Sequence, residues 1–438
     1  MHERKNPTVK NPSENKIVLV GAGGMSFGPV MVHDAIHSPK IAGSELVLHD
    51  INEKRLDNAF AAADRLNTAA GSPVRMSKTS DPAVAYKDAD FLLLSVELER
   101  FQGWKMDYEI PVKYGSTQIM GENGGPGGMF HSLRSIKTVL GICDTAAAIC
   151  PDAYLLNLTN PMSRVTLAIN RATKFRNVGL CHEFHGGLAR LMVMLLKPMK
   201  KINAKASGIN HFTFFYQIDD ADTGEDLYPK VRRHMEQFPF LHPPLVRHIC
   251  DEFGVFATSE DSHVGEYFPG VGDIVGKHMD FRRFHQTDCA IRDQLTKWYG
   301  KGLFPPLPIH RLPRSMEQAF PIIEGLATGD RTYLDAVNVP NKGYIPNLPD
   351  DAIVEVPAWT GAHGLEPETA PPMQEDLAAI MRTQIEIQDL VVRAALEKDP
   401  DLAFQAVVAD PLSPPNEDKC RRMFHEMMDK QKHLLPFD

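Results

Sequence analysis

The chain has 438 residues, of which 43% are hydrophobic and 24% charged, a composition typical of a soluble globular protein with room for one large domain or two. Its formal net charge of −9, without a long basic run, excludes nucleic acid as an expected partner. No segment is apolar over the length that a membrane span needs, so we expect no membrane partner.

Two features of the sequence bear on the cellular compartment of the protein. The six cysteines are scattered and show no Cys-x-x-Cys spacing, which argues against a disulfide framework or a structural zinc site. We therefore expect a reducing, cytoplasmic environment. Residues 1–15 are polar and lack the apolar core of a signal peptide, and we interpret them as a flexible leader.

A β-branched run at residues 16–20 leads into a glycine-rich turn and then into a helix-like segment at residues 29–37. This order of strand, loop and helix is typical of a dinucleotide-binding fold. Gly21 allows the tight turn, and Gly23 lets the backbone approach a pyrophosphate. The N–H groups at the start of the helix would then favour an anion.

The loop departs from the usual fingerprint because Ser26 stands where a third glycine is expected, although Gly24 and Gly28 keep the loop open. A second strand-like run, at residues 45–49, ends at Asp50, whose carboxylate is placed to bond a ribose hydroxyl. Because Asp50 would repel a 2′-phosphate, we predict NAD rather than NADP. The predicted cofactor-binding residues are Gly21, Gly23, Gly24, Met25, Ser26 and Asp50.

Alternating helix and strand signals follow and predict a doubly wound sheet. They comprise an amphipathic helix at 54–70 and strands at 76–79 and 91–96. Residues 121–128 hold five glycines and one proline before a helix, and either close approach to a ligand or a surface turn fits this loop. We predict an α/β fold, with a Rossmann-like, NAD-binding domain at 16–200 and a helix-rich C-terminal α+β domain at 201–438.

Polar residues end two neighbouring strands in the middle of the chain. The buried run 154–158 delivers Asn157 and Asn160, and after a helix at 163–171 the run 177–180 delivers Cys181 and His182. The carboxyl ends of parallel strands meet at one edge of a sheet, where ligands bind. A plain turn and a small buried cysteine would also explain these residues.

Beyond Cys181 the chain reads as a helix at 188–199 and an apolar, strand-like segment at 206–216 that contains His211. Such a histidine is usually a hydrogen-bonded core residue, but Cys181 and His211 could equally share a divalent metal. The sequence leaves both interpretations open. Residues 218–310 are less regular, 352–356 is strand-like, and 377–398 is one long helix.

These stretches together resemble glycoside hydrolase family 4, the NAD-dependent glycosidases, over nearly the whole chain. The stretches that carry the resemblance are the glycine loop from Gly21, Tyr114-Gly115, Gly125 to Arg134, Leu156-Asn-Leu-Thr-Asn-Pro161, Gly179-Leu-Cys-His182, Gly208-Ile-Asn-His211, Asn338 to Gly343, Ile345 to Asp350 and Arg382-Thr-Gln384. The resemblance implies a Rossmann-like fold of the lactate and malate dehydrogenase type, and a glycosidase outside the usual two-carboxylate scheme.

The resemblance also implies a redox-assisted elimination. NAD takes a hydride from sugar C3, and the resulting ketone acidifies the proton on C2. A base removes that proton, the glycosidic bond at C1 breaks, and water addition and hydride return complete the hydrolysis. A Mn²⁺-type ion polarises the ketone, and Cys181 and His211 resemble the family's metal ligands.

Further roles follow from the resemblance residue by residue. Tyr267 is the best match for the family's tyrosine base, with Tyr216 as the competitor, and His182 is the candidate acid. Asn160 resembles the family's sugar-binding asparagine. The predicted substrate-binding residues are Asn160, Asn157, Glu122 and Asn123, of which Glu122 and Asn123 depart from the family's loop.

The pair Cys181-His182 resembles the branches that act on unphosphorylated α-glycosides, which argues against a 6-phosphosugar. Because Glu183 beside a uronate would cost energy, we expect an α-galactoside or α-glucoside first and a uronide second. The resemblance also implies a homodimer or homotetramer. The main rival is an NAD-dependent 2-hydroxyacid or sugar dehydrogenase that accumulates NADH.

Overall fold

The computed structural model describes residues 11–275, 280–303 and 308–437. Residues 1–10 of the predicted leader, which spans 1–15, therefore lie outside the described residues. Residues Pro12–Glu14 of that leader form a short 3-10 turn. The described strands form one twelve-stranded sheet. In chain order they are β1 Lys16–Val20, β2 Glu45–His49, β3 Arg75–Thr79, β4 Phe91–Leu94, β5 Tyr154–Asn157, β6 Arg176–Gly179, β7 Ile202–Ile209, β8 Phe212–Asp220, β9 Phe256–Ala257, β10 Tyr333–Pro340, β11 Ile353–Gly361 and β12 Gly364–Pro367.

The order of the strands across the sheet confirms the predicted fold class. The first half runs β3-β2-β1-β4-β5-β6 with every pair parallel, which is the order of the dinucleotide-binding fold. The sheet continues through β10-β11-β7-β8-β9 with antiparallel pairs, and β12 pairs with β11. One sheet therefore crosses the boundary that the sequence places near residue 200.

Helices cover both faces of the sheet. They are α1 Gly28–Ile36, α2 Glu53–Ala69, α3 Pro82–Tyr86, α4 Arg100–Tyr114, α5 Gly125–Ile149, α6 Met162–Ala172, α7 Glu183–Leu195, α8 Tyr228–Gln237, α9 Pro244–Phe253, α10 Asp261–Val264, α11 Val271–Val275, α12 Phe281–Gly300, α13 Ala319–Thr328, α14 Glu375–Glu397, α15 Pro400–Ala409 and α16 Glu417–Gln431. None of these described helices combines the length and apolar character needed to cross a bilayer.

Two hydrophobic cores lie on opposite sides of the sheet, because successive strand residues point to opposite faces. In β1, Ile17 and Leu19 pack into the core shared with α1, α2 and α7. Val18 and Val20 pack into the other core, with α5, α6, α14 and α16. The long helix predicted at 377–398 is α14, and it packs as scaffold in this second core.

Three predicted elements need correction. The helix predicted at 188–199 is α7 and begins at Glu183, because Gly187 lets the helix lie against Thr258 and the Phe215 ring. The strand-like segment 206–216 is a hairpin, β7 and β8, that turns at Asn210-His211. The less regular region 218–310 contains the twenty-residue helix α12, whose apolar side chains are widely spaced among charged ones.

Candidate active site

The loop at residues 21–27, here called the dinucleotide loop, joins β1 to α1 as the sequence predicts. Gly21 has φ +88°, and a Cβ there would lie 2.1 Å from the Ser95 carbonyl oxygen, so only glycine fits. Gly21 N–H donates to the His49 carbonyl at 2.9 Å, and Gly24 N–H donates to the Gly21 carbonyl at 2.9 Å. These bonds fold the loop across the ends of β2 and β4.

Gly28 allows the close packing between helix and loop that a third glycine at position 26, which is Ser26 here, would otherwise allow. A Cβ on Gly28 would lie 2.7 Å from the Ala22 carbonyl oxygen, so α1 packs directly on the loop. No side chain caps the N-terminus of α1, and its first N–H groups face the loop without such a partner. Met25 is half-buried, and its sulfur lies 3.8 Å from the Thr296 hydroxyl of α12.

Asp50 follows β2 and meets the dinucleotide loop. Its Oδ2 accepts from Gly23 N–H at 2.8 Å, and its Oδ1 accepts from Asn52 N–H at 2.8 Å. A Cβ on Gly23 would lie 2.8 Å from the same carboxylate oxygen, so the glycine is required for this contact. The carboxylate is thus fixed beside the loop, where the sequence places the ribose contact.

A second group of side chains forms a candidate metal site on the other half of the sheet. One ligand atom each from Glu183, His211 and His263 lies within 4.8 Å of the other two, and we call these residues the metal cluster. Glu183 is in the first turn of α7, His211 is in the β7–β8 turn at φ +66°, and His263 is in α10. The rings of His211 and His263 lie edge to face at 4.4 Å.

The electrostatics of the metal cluster keep one imidazole neutral. Burial, with His263 and His182 nearby, lowers the pKa of His211 well below its usual range. Its Nδ1 is buried and has no hydrogen-bond partner. Burial also opposes protonation of His263, yet Glu183, Glu122 and Glu266 hold the pKa of His263 above its usual value. A neutral imidazole is the form that binds a metal ion, so His211 is ready to act as a ligand.

Cys181, the other predicted metal ligand, lies beside the metal cluster rather than within it. The cysteine is half-buried and lies two residues after the end of β6. Burial, with Glu183 and Glu355, raises the pKa of the Cys181 thiol well above its usual value. The thiol is therefore protonated without a metal, and metal binding would release its proton.

Tyr267, the predicted base, is buried on the same side as the metal cluster, and its ring lies 6.0 Å from that of Phe212. Burial and Glu266 raise the pKa of Tyr267 above its usual value, and the nearby Arg164 opposes this rise. The Gln384 side chain donates to the Tyr267 carbonyl at 3.4 Å. The phenol thus needs a positive charge to become a base at neutral pH.

Tyr216, the competitor for the base, lies elsewhere. It lines a cavity of about 510 Å³ together with Asp219, Tyr228 and Arg232. Burial, and then Glu368, raise the pKa of Tyr216 to about 12. Tyr216 lies on β8, five residues beyond the turn that carries His211.

The loop at residues 121–128 closes over this part of the site and is tied to Glu266. The Glu266 carboxylate accepts from Glu122 N–H at 2.7 Å and from Asn123 N–H at 3.1 Å. A Cβ on Gly124 would lie 1.9 Å from the Glu266 carbonyl oxygen. All eight residues of the loop are buried, so it is not a surface turn, and its close approach to a ligand stays a prediction.

The predicted substrate-binding residues have different surroundings. Asn123 is buried, and neither its side-chain nitrogen nor its oxygen has a partner. Glu122 is buried with its carboxylate 3.5 Å from the Arg100 guanidinium. Asn160 is half-buried and precedes a cis bond to Pro161. Asn123 and Asn160 thus keep side-chain groups for a ligand.

Asn157 makes its contacts inside the fold. Its side chain is fully buried, its Oδ1 accepts from Thr159 N–H at 3.1 Å, and its Nδ2 donates to the Thr166 hydroxyl at 3.1 Å. The amide helps to fold the turn after β5, and a substrate contact of Asn157 stays a prediction.

His182, the candidate acid, lies between the dinucleotide loop and the metal cluster. Its ring meets that of Phe27 edge to face at 6.1 Å, and its side chain is 57% exposed. Nδ1 lies 3.6 Å from a carboxylate oxygen of Glu317. Burial raises the pKa of Glu317, although His182 and His185 oppose the rise. An exposed imidazole backed by a carboxyl group can exchange protons with a leaving group.

Three residues of the site, His263, Glu266 and Arg164, were not predicted. His263 stands four residues before Tyr267 in the sequence, and this short separation could have indicated a common site. Arg164 is fully buried, and its Nε and Nη2 have no partner. No comparable signal in the sequence identifies Arg164, because its burial depends on distant segments.

Comparisons with known proteins agree with this geometry. A model of family 4 glycosyl hydrolases matches residues 16–197, and a model of their C-terminal domain matches residues 206–413. The chain is 32% identical over 452 residues to an alpha-glucosidase of Erwinia rhapontici, covering 93% of this chain and 95% of the relative. It is 29% identical over 412 residues to an alpha-galactosidase of Bacillus subtilis (strain 168), covering 90% and 93%.

The fold is also similar to that of a solved structure. A 6-phospho-alpha-glucosidase from gut microorganisms, in complex with NAD and Mn²⁺, superposes with a TM-score of 0.82 at 21% identity, over 97% of this chain and 99% of that one. The match of both family models, which together span most of the chain, identifies the enzyme class that the sequence resembles. The chain belongs to glycosyl hydrolase family 4.

Proposed function

We propose that the protein hydrolyses an unphosphorylated α-glycoside, a galactoside or glucoside first and a uronide second, by transient oxidation at C3 and elimination across C1 and C2. The observation that carries this proposal is the position of His182, which contacts Phe27 of the dinucleotide loop and lies next to the metal cluster. A cofactor site and a metal site thus face one space. We further propose that the protein is cytoplasmic and forms a homodimer or homotetramer.

The residues of the dinucleotide loop fit NAD. The loop backbone and the uncapped start of α1 would hold the pyrophosphate, and Asp50 would bond the adenosine ribose. A side chain at Gly21 would collide with the Ser95 carbonyl and one at Gly23 with the Asp50 carboxylate, so the two glycines allow the loop to fold in this position. When bound, NAD supplies a hydride acceptor and donor for sugar C3.

The residues around the metal cluster fit a divalent ion such as Mn²⁺. His211 offers a neutral imidazole whose Nδ1 has no partner, and Glu183 offers a carboxylate within 4.8 Å of it. We propose that Cys181 and His211 hold the ion, with Glu183 and His263 beside it. Imidazole and carboxylate suit Mn²⁺, and a thiolate adds charge. When bound, the ion supplies a Lewis acid for the oxygens of the oxidised sugar.

The protein side chains then move the protons. Tyr267 takes the C2 proton, and the charge of Arg164 stabilises the phenolate that does so. His182 gives a proton to the departing oxygen, which its exposed position allows. Asn123 and Asn160 hold sugar hydroxyls through amide groups that the protein leaves free.

The charges around the site support an uncharged sugar. Glu122, Glu183 and Glu266 all raise the pKa of His263, so their carboxylates converge on one place. Arg100, the cation beside Glu122, is also paired with Glu97 at 2.6 Å. An anionic sugar would meet net repulsion here. Arg164 lies within ion-pair distance of no carboxylate in the described part of the chain, which keeps a uronide as the second choice.

A panel of p-nitrophenyl α- and β-glycosides, uronides included, tests the proposed function. We expect release of nitrophenol from an α-galactoside or α-glucoside only when NAD, Mn²⁺ and a reductant are all supplied. No cleavage of any glycoside, with NADH accumulating from a hydroxy acid or a free sugar, would show that the protein is a dehydrogenase.

The substitution Tyr267→Phe tests the base. Because it removes the proton acceptor and little volume, we expect kcat to fall by about 10²–10⁴-fold with NAD binding unchanged. Tyr216→Phe is the matched control and should keep wild-type turnover, since Tyr216 lies in a separate cavity. A loss of activity in the Tyr216 variant alone would reverse the assignment.

Glu266 predicts a pH dependence of stability. Burial, and then Glu122, raise the pKa of Glu266 from 4.5 to about 7, so the folded protein keeps a proton there that the unfolded chain releases at lower pH. This contribution to stability is fully present below pH 4.5 and is lost as the pH rises through about 7. The substitution Glu266→Gln would keep an oxygen for the two loop N–H groups without a titrating carboxyl group.

Urea unfolding of wild type and Glu266→Gln at several pH values measures this effect. The free energy of unfolding of the variant, relative to wild type, should rise by about 3 kcal/mol between about pH 4.5 and 8. A constant difference over that range would mean that Glu266 titrates normally.

A further inference from the structure

Glu355 is a buried carboxylate in the middle of the sheet that the proposed reaction does not use. It lies on β11, is 2% exposed, and has no cation within ion-pair distance among the residues that the structure describes. An unpaired buried carboxylate is costly unless hydrogen bonds offset the loss of water. Its position therefore needs a reason that folding alone does not supply.

Two asparagine side chains satisfy this carboxylate. Asn338 Nδ2 donates to Glu355 Oε2 at 2.8 Å, and Asn210 Nδ2 donates to the same oxygen at 3.1 Å. Asn338 is the cross-strand partner of Glu355, and Gly208, two residues before Asn210, is its partner on the other side. The carboxylate thus links β10 to the turn of the β7–β8 hairpin.

That turn carries the proposed metal ligand His211, which follows Asn210 and adopts φ +66°. The Asn210 amide also favours the thiolate form of Cys181, the other proposed ligand. A non-glycine residue in this conformation is strained and needs its surroundings to hold it. Asn210 ties the turn to the sheet through Glu355, and the Ser259 hydroxyl donates to the His211 carbonyl at 2.8 Å.

The pattern matches the supporting shell of a metal site. Groups that hydrogen-bond to metal ligands, or to their neighbours, fix the ligands in the geometry that the ion requires. Glu355 hydrogen-bonds Asn210, which precedes the proposed ligand His211 in the turn. A hydrophobic residue at 355 would leave the amides of Asn210 and Asn338 without an acceptor in a buried place.

We propose that Glu355 is a positioning residue for the metal centre: its carboxylate orients Asn210 and, with it, the turn that presents His211. This inference rests on the metal site of the proposed function. It assigns to β11 a part in metal binding.

The test compares Mn²⁺ affinity, measured by electron paramagnetic resonance of the free ion, in wild type and Glu355→Gln. Loss of the carboxylate charge should weaken Mn²⁺ binding by about 10–100-fold, the usual effect of removing such a support. Glu324→Gln is the matched control, because Glu324 on α13 is also buried but pairs with Arg314 at 2.8 Å. The control should bind Mn²⁺ as wild type does.

Cobalt substitution adds a readout that a purely structural role would not move. At equal Co²⁺ occupancy, the sulfur-to-cobalt charge-transfer band should be weaker in Glu355→Gln, because the Asn210 amide, which favours the Cys181 thiolate, is no longer oriented by a carboxylate. NAD affinity, which depends on the dinucleotide loop, should stay unchanged and shows that the variant is folded. Should the variant fail to fold, Asn338→Ala replaces it and should weaken Mn²⁺ binding in the same direction.

The outcomes separate this inference from the proposed function. If wild type binds no Mn²⁺, or if Cys181→Ser and His211→Ala bind it as wild type does, the proposed metal site is wrong. If those two variants lose Mn²⁺ while folded Glu355→Gln or Asn338→Ala binds it with wild-type affinity and an unchanged cobalt band, Glu355 has no positioning role.

Discussion

The pairing of β6 with β10 is the contact on which the site depends, because it joins the parallel half of the sheet to the antiparallel half. The registered pair is Gly179 with Asn338. A Cβ on Gly179 would lie 2.2 Å from the Met162 sulfur and 3.1 Å from the Asn338 Cβ, so the strands meet at this distance only with glycine. Cys181 follows two residues later and is thereby carried to Asn210.

The pairing of β6 with β10 also explains why the site is rich in buried charge. The parallel strands end in the loops that we propose hold the dinucleotide, and the antiparallel strands bring Glu355 close to the turn that carries His211. Burying carboxylates and imidazoles together costs free energy, which is recovered only when hydrogen bonds or a bound cation compensate. The orphaned atoms of Asn123, Arg164 and His211 lie where a ligand would complete those bonds.

Local signals in the sequence predicted the first half of the fold. The order β1, loop, α1 and β2 followed from a β-branched run, glycines and Asp50, all within 35 consecutive residues at positions 16–50. The predicted helix at 188–199 begins five residues too late, since α7 starts at Glu183 and Gly187 packs inside it against Thr258 and Phe215. The hairpin at Asn210-His211 was missed because its turn contains neither glycine nor proline.

The candidate site was only partly predictable, because several of its residues meet through tertiary contacts rather than through a local pattern. Cys181 and His211 stood out by residue type, but Glu183, His263 and Glu355 come together through contacts between segments that are far apart in the chain. Their proximity is set by strand pairing, which no local pattern reveals. Asn157, conversely, stood out in a strand-end motif but is used inside the fold.

The most direct test of the central claim is to let the protein hydrolyse its glycoside substrate in heavy water and to examine the released sugar by nuclear magnetic resonance. Elimination through removal of the C2 proton by Tyr267 predicts deuterium at C2 of the product. A product that retains its full C2 proton signal would mean that the bond at C1 is broken by direct displacement, and would contradict the account.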